Sequence, residues 1–130
     1  MKATVMPGDL RLHHHKVTSQ DFATFAAGTV HKVCSTFALA REMEWSSRLF
    51  VLDIKAEDEE GVGTMLEIQH HAPAFAGEHL ALEAKVVSLE KNELICDITV
   101  RVADRLIATG RTGQKILKRE KVQQIFTRLE

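Results

Sequence analysis

Side chains capable of acid–base or nucleophilic work cluster in three places along the chain. The first is Ser35-Thr36, followed eight residues later by Glu44, which stands between Met43 and Trp45. A hydroxyl positions water, or attacks a carbonyl once a base withdraws its proton. Glu44 falls where the chain should be buried. A carboxylate left there without a partner either pairs or has its pKa raised. Both outcomes suit catalysis, and both also suit a structural Glu satisfied by a backbone amide or an arginine. Thr36 taken alone reads first as a helix cap. The second place is the run Gly63-Thr64-Met65-Leu66-Glu67-Ile68-Gln69-His70-His71-Ala72-Pro73, a strand that ends at a proline. Neighbouring strand residues point to opposite faces, so at most one of His70 and His71 meets a covering helix. A histidine in that position can serve as acid or base near neutral pH, or simply as a hydrogen-bonded structural residue. The third place is His13-His14-His15. Strand alternation divides these three between two faces, so they make no tetrahedral metal site unaided, and no metal is expected.

These groups need elements to hold them. The longest helical candidate runs from about Ser35 to Leu52, without Pro or Gly and rich in Ala, Leu, Met, Glu and Arg. Ser35 or Thr36 caps it, and Phe37, Ala40, Met43, Ser47 and Val51 recur at helical spacing. Leu39 and Trp45 lie off that stripe, which predicts a helix buried on more than one side. Upstream, residues 10–18 read as a strand and 19–33 as a short helix and loop. Glu57-Asp58-Glu59-Glu60-Gly61 forms a solvated turn. From Gly61 the period changes to two. Leu80, Leu82, Ala84 and Val86 alternate with polar or small residues, and so do Leu94, Cys96, Ile98, Val100 and Val102. Turns at Lys91-Asn92-Glu93 and Ala103-Asp104-Arg105 lead to a strand at about 106–117. Val122, Ile125, Phe126 and Leu129 mark a terminal helix. The order predicts four consecutive strands joined by tight turns, meandering against one long helix in a two-layer α+β domain spanning residues 1–130. Such long strands exceed what one helix covers, so a second copy is expected on the other face or an edge.

Composition narrows the function classes. The chain has 130 residues, 45% of them apolar, and a net charge of −1, so no global field draws it to nucleic acid or an acidic membrane surface. No apolar run approaches the length a membrane helix needs. Cys34 and Cys96 are too few for a disulfide framework and match no metal spacing, which points to a reducing cytoplasm. The absence of G-x-S-x-G, G-x-x-x-x-G-K, G-x-G-x-x-G and C-x-x-C argues against α/β-hydrolase, nucleotide-dependent and dinucleotide chemistry. The basic group Lys115, Lys118, Arg119 and Lys121 reads as a solvated face, or else as a landing site for a phosphorylated ligand.

A long helix opening on Ser35-Thr36, Met43-Glu44-Trp45 two turns in, Gly63-Thr64, and a strand ending in His70 together resemble the hotdog-fold thioesterases. Within these, the chain is most similar to the fluoroacetyl-CoA thioesterase-like family, over about residues 8–128. Gly110-Arg111-Thr112-Gly113-Gln114 resembles that family's last strand. The resemblance implies an antiparallel sheet wrapped around one central helix. It also implies hydrolysis of a small acyl-CoA to free acid and CoA with no cofactor, by a homodimer or dimer of dimers. It assigns catalysis to Thr36, Glu44 and His70, and substrate contacts to Ser35, Gly63 and Gln114. The family's aromatic lid positions fall at Ala27 and Val30 and a family arginine falls at Gln114, so selectivity for a fluorinated acyl group is not expected. Two other readings use the same pocket: a non-catalytic acyl-CoA or acyl-carrier binding protein, and a dehydratase that leaves the thioester intact. Spacing sets a constraint on any of them. Thr36 and Glu44 in one straight helix lie ~12 Å apart along its axis. Either Thr36 precedes the helix and folds back, or two subunits share the pocket.

Overall fold

The computed structural model describes all 130 residues. In chain order it contains β1 (Leu10–Lys16), one 3-10 turn (Ser19–Asp21), β2 (Phe22–Phe25), β3 (Gly28–Cys34) and α1 (Thr36–Ile54). These are followed by β4 (Glu59–His70), β5 (His79–Glu90), β6 (Glu93–Val102), β7 (Arg105–Lys118) and α2 (Arg119–Leu129). Five strands make one antiparallel sheet in the order β1-β5-β6-β7-β4, and β2 with β3 forms a separate hairpin. The sheet wraps α1, as the resemblance implies.

Local chemistry accounts for these elements. Ser35 has extended backbone and its Oγ accepts a hydrogen bond from the Ala38 amide at 2.9 Å, which caps α1. Leu39, Met43, Phe50 and Ile54 then turn one face of the helix inward, each 2% exposed or less. They pack on Leu80, Leu82, Leu94, Ile98 and Ile107, the inward members of alternating strands. Lys91 and Ala103 adopt positive φ (59° and 48°), the backbone that two-residue hairpins require. No helix is long and apolar enough to cross a membrane.

Three expectations are corrected. Residues 19–33 contain one 3-10 turn and a hairpin, not a short α-helix and loop. The Thr18–Asp21 capping box closes only one turn before Phe22 becomes extended, and β-branched Thr24, Thr29, Val30 and Val33 favour strand. The four late strands are not one meander. Pro73 ends β4, residues 71–78 cross over, and β4 pairs with β7 at the far edge while β5 pairs with β1. Finally, the inward face of α1 is set by Leu39 rather than Phe37, which is 80% exposed. That rotation has a direct consequence for the acids of the helix, because it buries Glu42 and leaves Glu44 at the surface. The apolar stripe of α2 is likewise mostly exposed, with only Val122 buried.

Candidate functional site

Ser35 and Thr36, adjacent in sequence, have separate tasks. Ser35 Oγ is engaged in capping α1, and the Ser35 amide donates to the Asp21 carbonyl at 2.7 Å. Thr36, the first residue of α1, directs its Oγ1 to His70 Nδ1 at 3.0 Å. His70 is the last residue of β4, and both side chains are open to solvent. His71 turns away and lies 2.8 Å from Thr109 Oγ1 on β7. The strand therefore delivers one imidazole to the helix start, as alternation requires. Of the first-turn amides of α1 beside this pair, that of Ala38 is taken by Ser35 Oγ, which leaves those of Thr36 and Phe37 without a protein acceptor.

Glu44, Gly63 and Gln114 form a second group. The expectation that Glu44 is buried does not hold, since its carboxylate stands at the surface against β4. A Cβ on Gly63 would lie 2.6 Å from Glu44 Oε1, so only glycine leaves the carboxylate its place. A bulge between Gly63 and Met65 bends β4 at this point. Gln114 pairs with Gly63 across the ladder and is 2% exposed. Its Nε2 donates to Ser47 Oγ at 2.9 Å and to the Glu44 carbonyl at 3.4 Å, which ties the middle of α1 to β7. Glu44, Gly63 and Gln114 share a crevice of about 340 Å³ with Arg41, Trp45, Arg48 and Gly61. One chain thus brings Thr36 to His70, and Glu44 to Gly63 and Gln114. It does not bring the two groups together. Thr36 lies within α1, so the fold-back route is closed and ~12 Å of helix separates it from Glu44.

Reading the sequence missed a network built from the histidine run. His13 Nε2 lies 3.0 Å from Glu42 Oε1, and His15 Nε2 lies 2.9 Å from Asp21 Oδ2. Arg41 closes the network, with Nε donating to Glu42 Oε2 and Nη2 to Asp21 Oδ1, both at 2.9 Å. The i, i+2 spacing of His13 and His15 and the Thr18-x-x-Asp21 capping pattern were its legible signals. His14, on the other face, is exposed. The network fastens β1, the foot of the β2–β3 hairpin and α1 to one another. Burial pushes the Asp21 carboxyl up, but hydrogen bonds from the Thr18 amide, His15 and Arg41 outweigh it and hold the pKa below the usual value. Glu42 follows the same pattern, with burial outweighed by His13 and Arg41. A carboxylate with a depressed folded pKa stabilises above its unfolded pKa, and that contribution is lost as pH falls through the folded one. Stability should therefore decline as pH drops below about 4.5, the ordinary Glu value. Asp21→Asn should destabilise the protein at neutral pH by about 2–3 kcal/mol. It should also flatten the acid decline, as read from urea midpoints at neutral pH and at about pH 3.5. An unchanged acid slope would contradict this assignment.

No three His, Cys, Asp or Glu side chains converge on a position that would hold a metal ion. Burial pushes the Cys34 and Cys96 thiols up to about 12, so neither is a ready nucleophile. The basic group at the start of α2 is tied to the acidic turn, with Lys118 paired to Asp58 and Arg119 to Glu60.

Residues 17–120 match the family model described as fluoroacetyl-CoA-specific thioesterase. No curated protein matches the chain significantly. Among solved structures, a Thermus thermophilus protein described as a thioesterase superfamily member is 30% identical. It superposes with a TM-score of 0.92 over 97% of this chain and 93% of that one. A mutant of the fluoroacetyl-CoA-specific thioesterase is 17% identical, with a TM-score of 0.89 over 99% of this chain and all of that one. A hot-dog-like protein from Thermanaerovibrio acidaminovorans is 20% identical, with a TM-score of 0.85 over 95% and 93%. The last two share the fold.

Proposed function

The chain belongs to the fluoroacetyl-CoA-specific thioesterase family, and on that premise we propose that it hydrolyses a small acyl-CoA at a site built by two copies of the chain. The enzyme is a thioester hydrolase. Water adds to the acyl carbonyl, the carbon–sulfur bond breaks, and free acid and CoA thiol leave. The observation that carries the assignment is the 3.0 Å contact of Thr36 Oγ1 with His70 Nδ1 at the open start of α1. His70 withdraws a proton from Thr36, or from a water that Thr36 holds, and returns it to the departing sulfur. The Thr36 and Phe37 amides at the start of α1 receive the charge that develops on the carbonyl oxygen.

The second copy supplies Glu44. β4 is an edge strand of 12 residues, with an unpaired backbone ladder and Leu66 38% exposed. Such an edge is a template for another strand. Antiparallel pairing of two β4 strands about a two-fold axis between Leu66 and Glu67 sets Gly63 opposite the partner's His70. Glu44 lies on Gly63, so the same pairing carries its carboxylate towards the partner's Thr36–His70 pair. Both half-sites are completed twice per dimer. Residues 1–130 act as one domain in this reading, and the free Cys34 and Cys96 together with a CoA ester substrate favour the cytoplasm. The direct test is a panel of short acyl-CoA esters incubated with the protein and a thiol-detecting reagent. Thiol release with an equal yield of free acid is expected. Binding of the esters without release would refute the assignment.

A further inference from the structure

The crevice around Glu44 is more polar than an alkyl acyl group requires. Trp45 is its only apolar lining side chain, and two arginines enter it. Arg41 is engaged by Asp21 and Glu42. Arg48 forms no ion pair, and its one hydrogen bond runs from Nη1 to the Gly61 carbonyl at 3.3 Å. A Cβ on Gly61 would come within 2.7 Å of Val51 Cγ1 and 3.3 Å of Arg48 Nη1, so β4 runs close against α1 beside the guanidinium. A guanidinium carries five donors in a fixed fork, and most of these have no protein acceptor here. The amide nitrogen of Gln114, beside it, is already bonded to Ser47. Arg48 follows Glu44 by one helical turn, ~6 Å along the axis.

An unpaired, half-buried guanidinium beside a reacting centre favours a planar, two-oxygen anion. We propose that Arg48 is a specificity-determining residue that recognises a carboxylate at the far end of a short acyl chain, making CoA esters of short dicarboxylic acids the substrate class. This inference rests on the thioesterase reading above. One helical turn from Glu44 is the reach of a few-carbon chain. The CoA phosphates are separated from the thioester by the whole pantetheine arm, which is far longer than the one helical turn between Glu44 and Arg48. A plain alkyl chain finds better company in the apolar groove of about 390 Å³ that Phe22, Phe25 and Phe37 line between the hairpin and α1.

The test compares kcat/KM for succinyl-CoA and butyryl-CoA, whose acyl chains have four carbons each and differ in the terminal carboxylate. A charged hydrogen-bonded contact predicts about a tenfold to hundredfold preference for the succinyl ester in the wild type. Arg48→Met should bring the ratio to about one, and Arg48→Lys should keep part of it, because it retains the charge and loses the fork. A wild-type ratio at or below one overturns the proposal, and so does a fall in both esters by the same factor in Arg48→Met. Should that variant not fold, product inhibition of the wild type decides, with succinate expected to inhibit at lower concentration than butyrate. Equal inhibition overturns the inference. Hydrolysis of any ester of the panel without a succinyl preference sinks this inference alone, whereas release of thiol from none of them sinks the thioesterase reading.

Discussion

Glu44→Gln should lower kcat for acyl-CoA hydrolysis by about 10²–10⁴-fold, and His70→Ala should do so to a similar extent. Glutamine keeps the shape of the side chain beside Gly63 and removes its ability to take a proton. KM should move far less than kcat, because in the proposed mechanism both groups act on charge that appears only as the carbonyl is attacked. Thr36→Ala separates the two roles open to the hydroxyl. If Thr36 attacks, the loss equals that of His70→Ala, an acyl-enzyme burst disappears, and Thr36→Ser recovers part of the rate. If it holds water, the loss is smaller and no burst is seen in the wild type. Thiol release under single-turnover and steady-state conditions distinguishes these cases. Three variants within about threefold of wild type would leave the general acid–base assignment without support.

Such losses are readable as chemistry because of where the groups sit. Thr36, Glu44 and His70 are all open to solvent in the chain, so removing them opens no core cavity and orphans no buried charge. Asp21 and Glu42 are the reverse case. They are buried acids with several partners, and their substitution acts first on stability. The chain therefore keeps the structural carboxylate Glu42 on the inner side of α1 and the proposed reactive one, Glu44, at the rim. Glu42 and Glu44 are two residues apart on the helix, which is about 200° of rotation.

That rotation also marks what the sequence could and could not convey. Period-two runs at 80–86 and 94–102 were plain because each alternate residue faces one helix, and the structure buries them as expected. The start of α1 was plain because Ser35 caps it in the ordinary way. Which acid is buried was not plain. The apolar spacing makes Phe37 the head of the inward stripe and so puts Glu44 inside, whereas Phe37 stands clear of the core and Glu42 is the buried acid. Apolar spacing fixes a helical period but leaves its phase open when apolar residues occur on several faces. The crossover after Pro73 was hidden for a related reason. Antiparallel strands of similar composition do not specify which neighbour they join, and β4 found β7 through long-range packing alone. Thr36 and His70, 34 positions apart, were paired by resemblance and not by spacing, and the structure places them within hydrogen-bond reach.

Mixing two inactive variants should restore activity. Thr36→Ala and Glu44→Gln damage opposite halves of the proposed composite site. In a heterodimer, one site carries both lesions and the other carries neither. Random exchange gives about half heterodimers, each with one of two sites intact, so the mixture should recover about a quarter of wild-type kcat per chain. Against the 10²–10⁴-fold deficit of each variant alone, that gain is a large signal. It also exceeds anything that refolding or trace wild-type carry-over supplies at the same concentration. Two controls sharpen it. Thr36→Ala mixed with His70→Ala should stay inactive, because both lesions fall in the same half-site, and a proline placed at Leu66 should abolish recovery by breaking the β4 edge. If Thr36→Ala and Glu44→Gln exchange subunits, as mass measurement of the dimers would report, and activity stays at the level of the separate variants, then each chain completes its own site. In that case the ~12 Å between Thr36 and Glu44 would have to be closed within one copy, by movement of the first turn of α1.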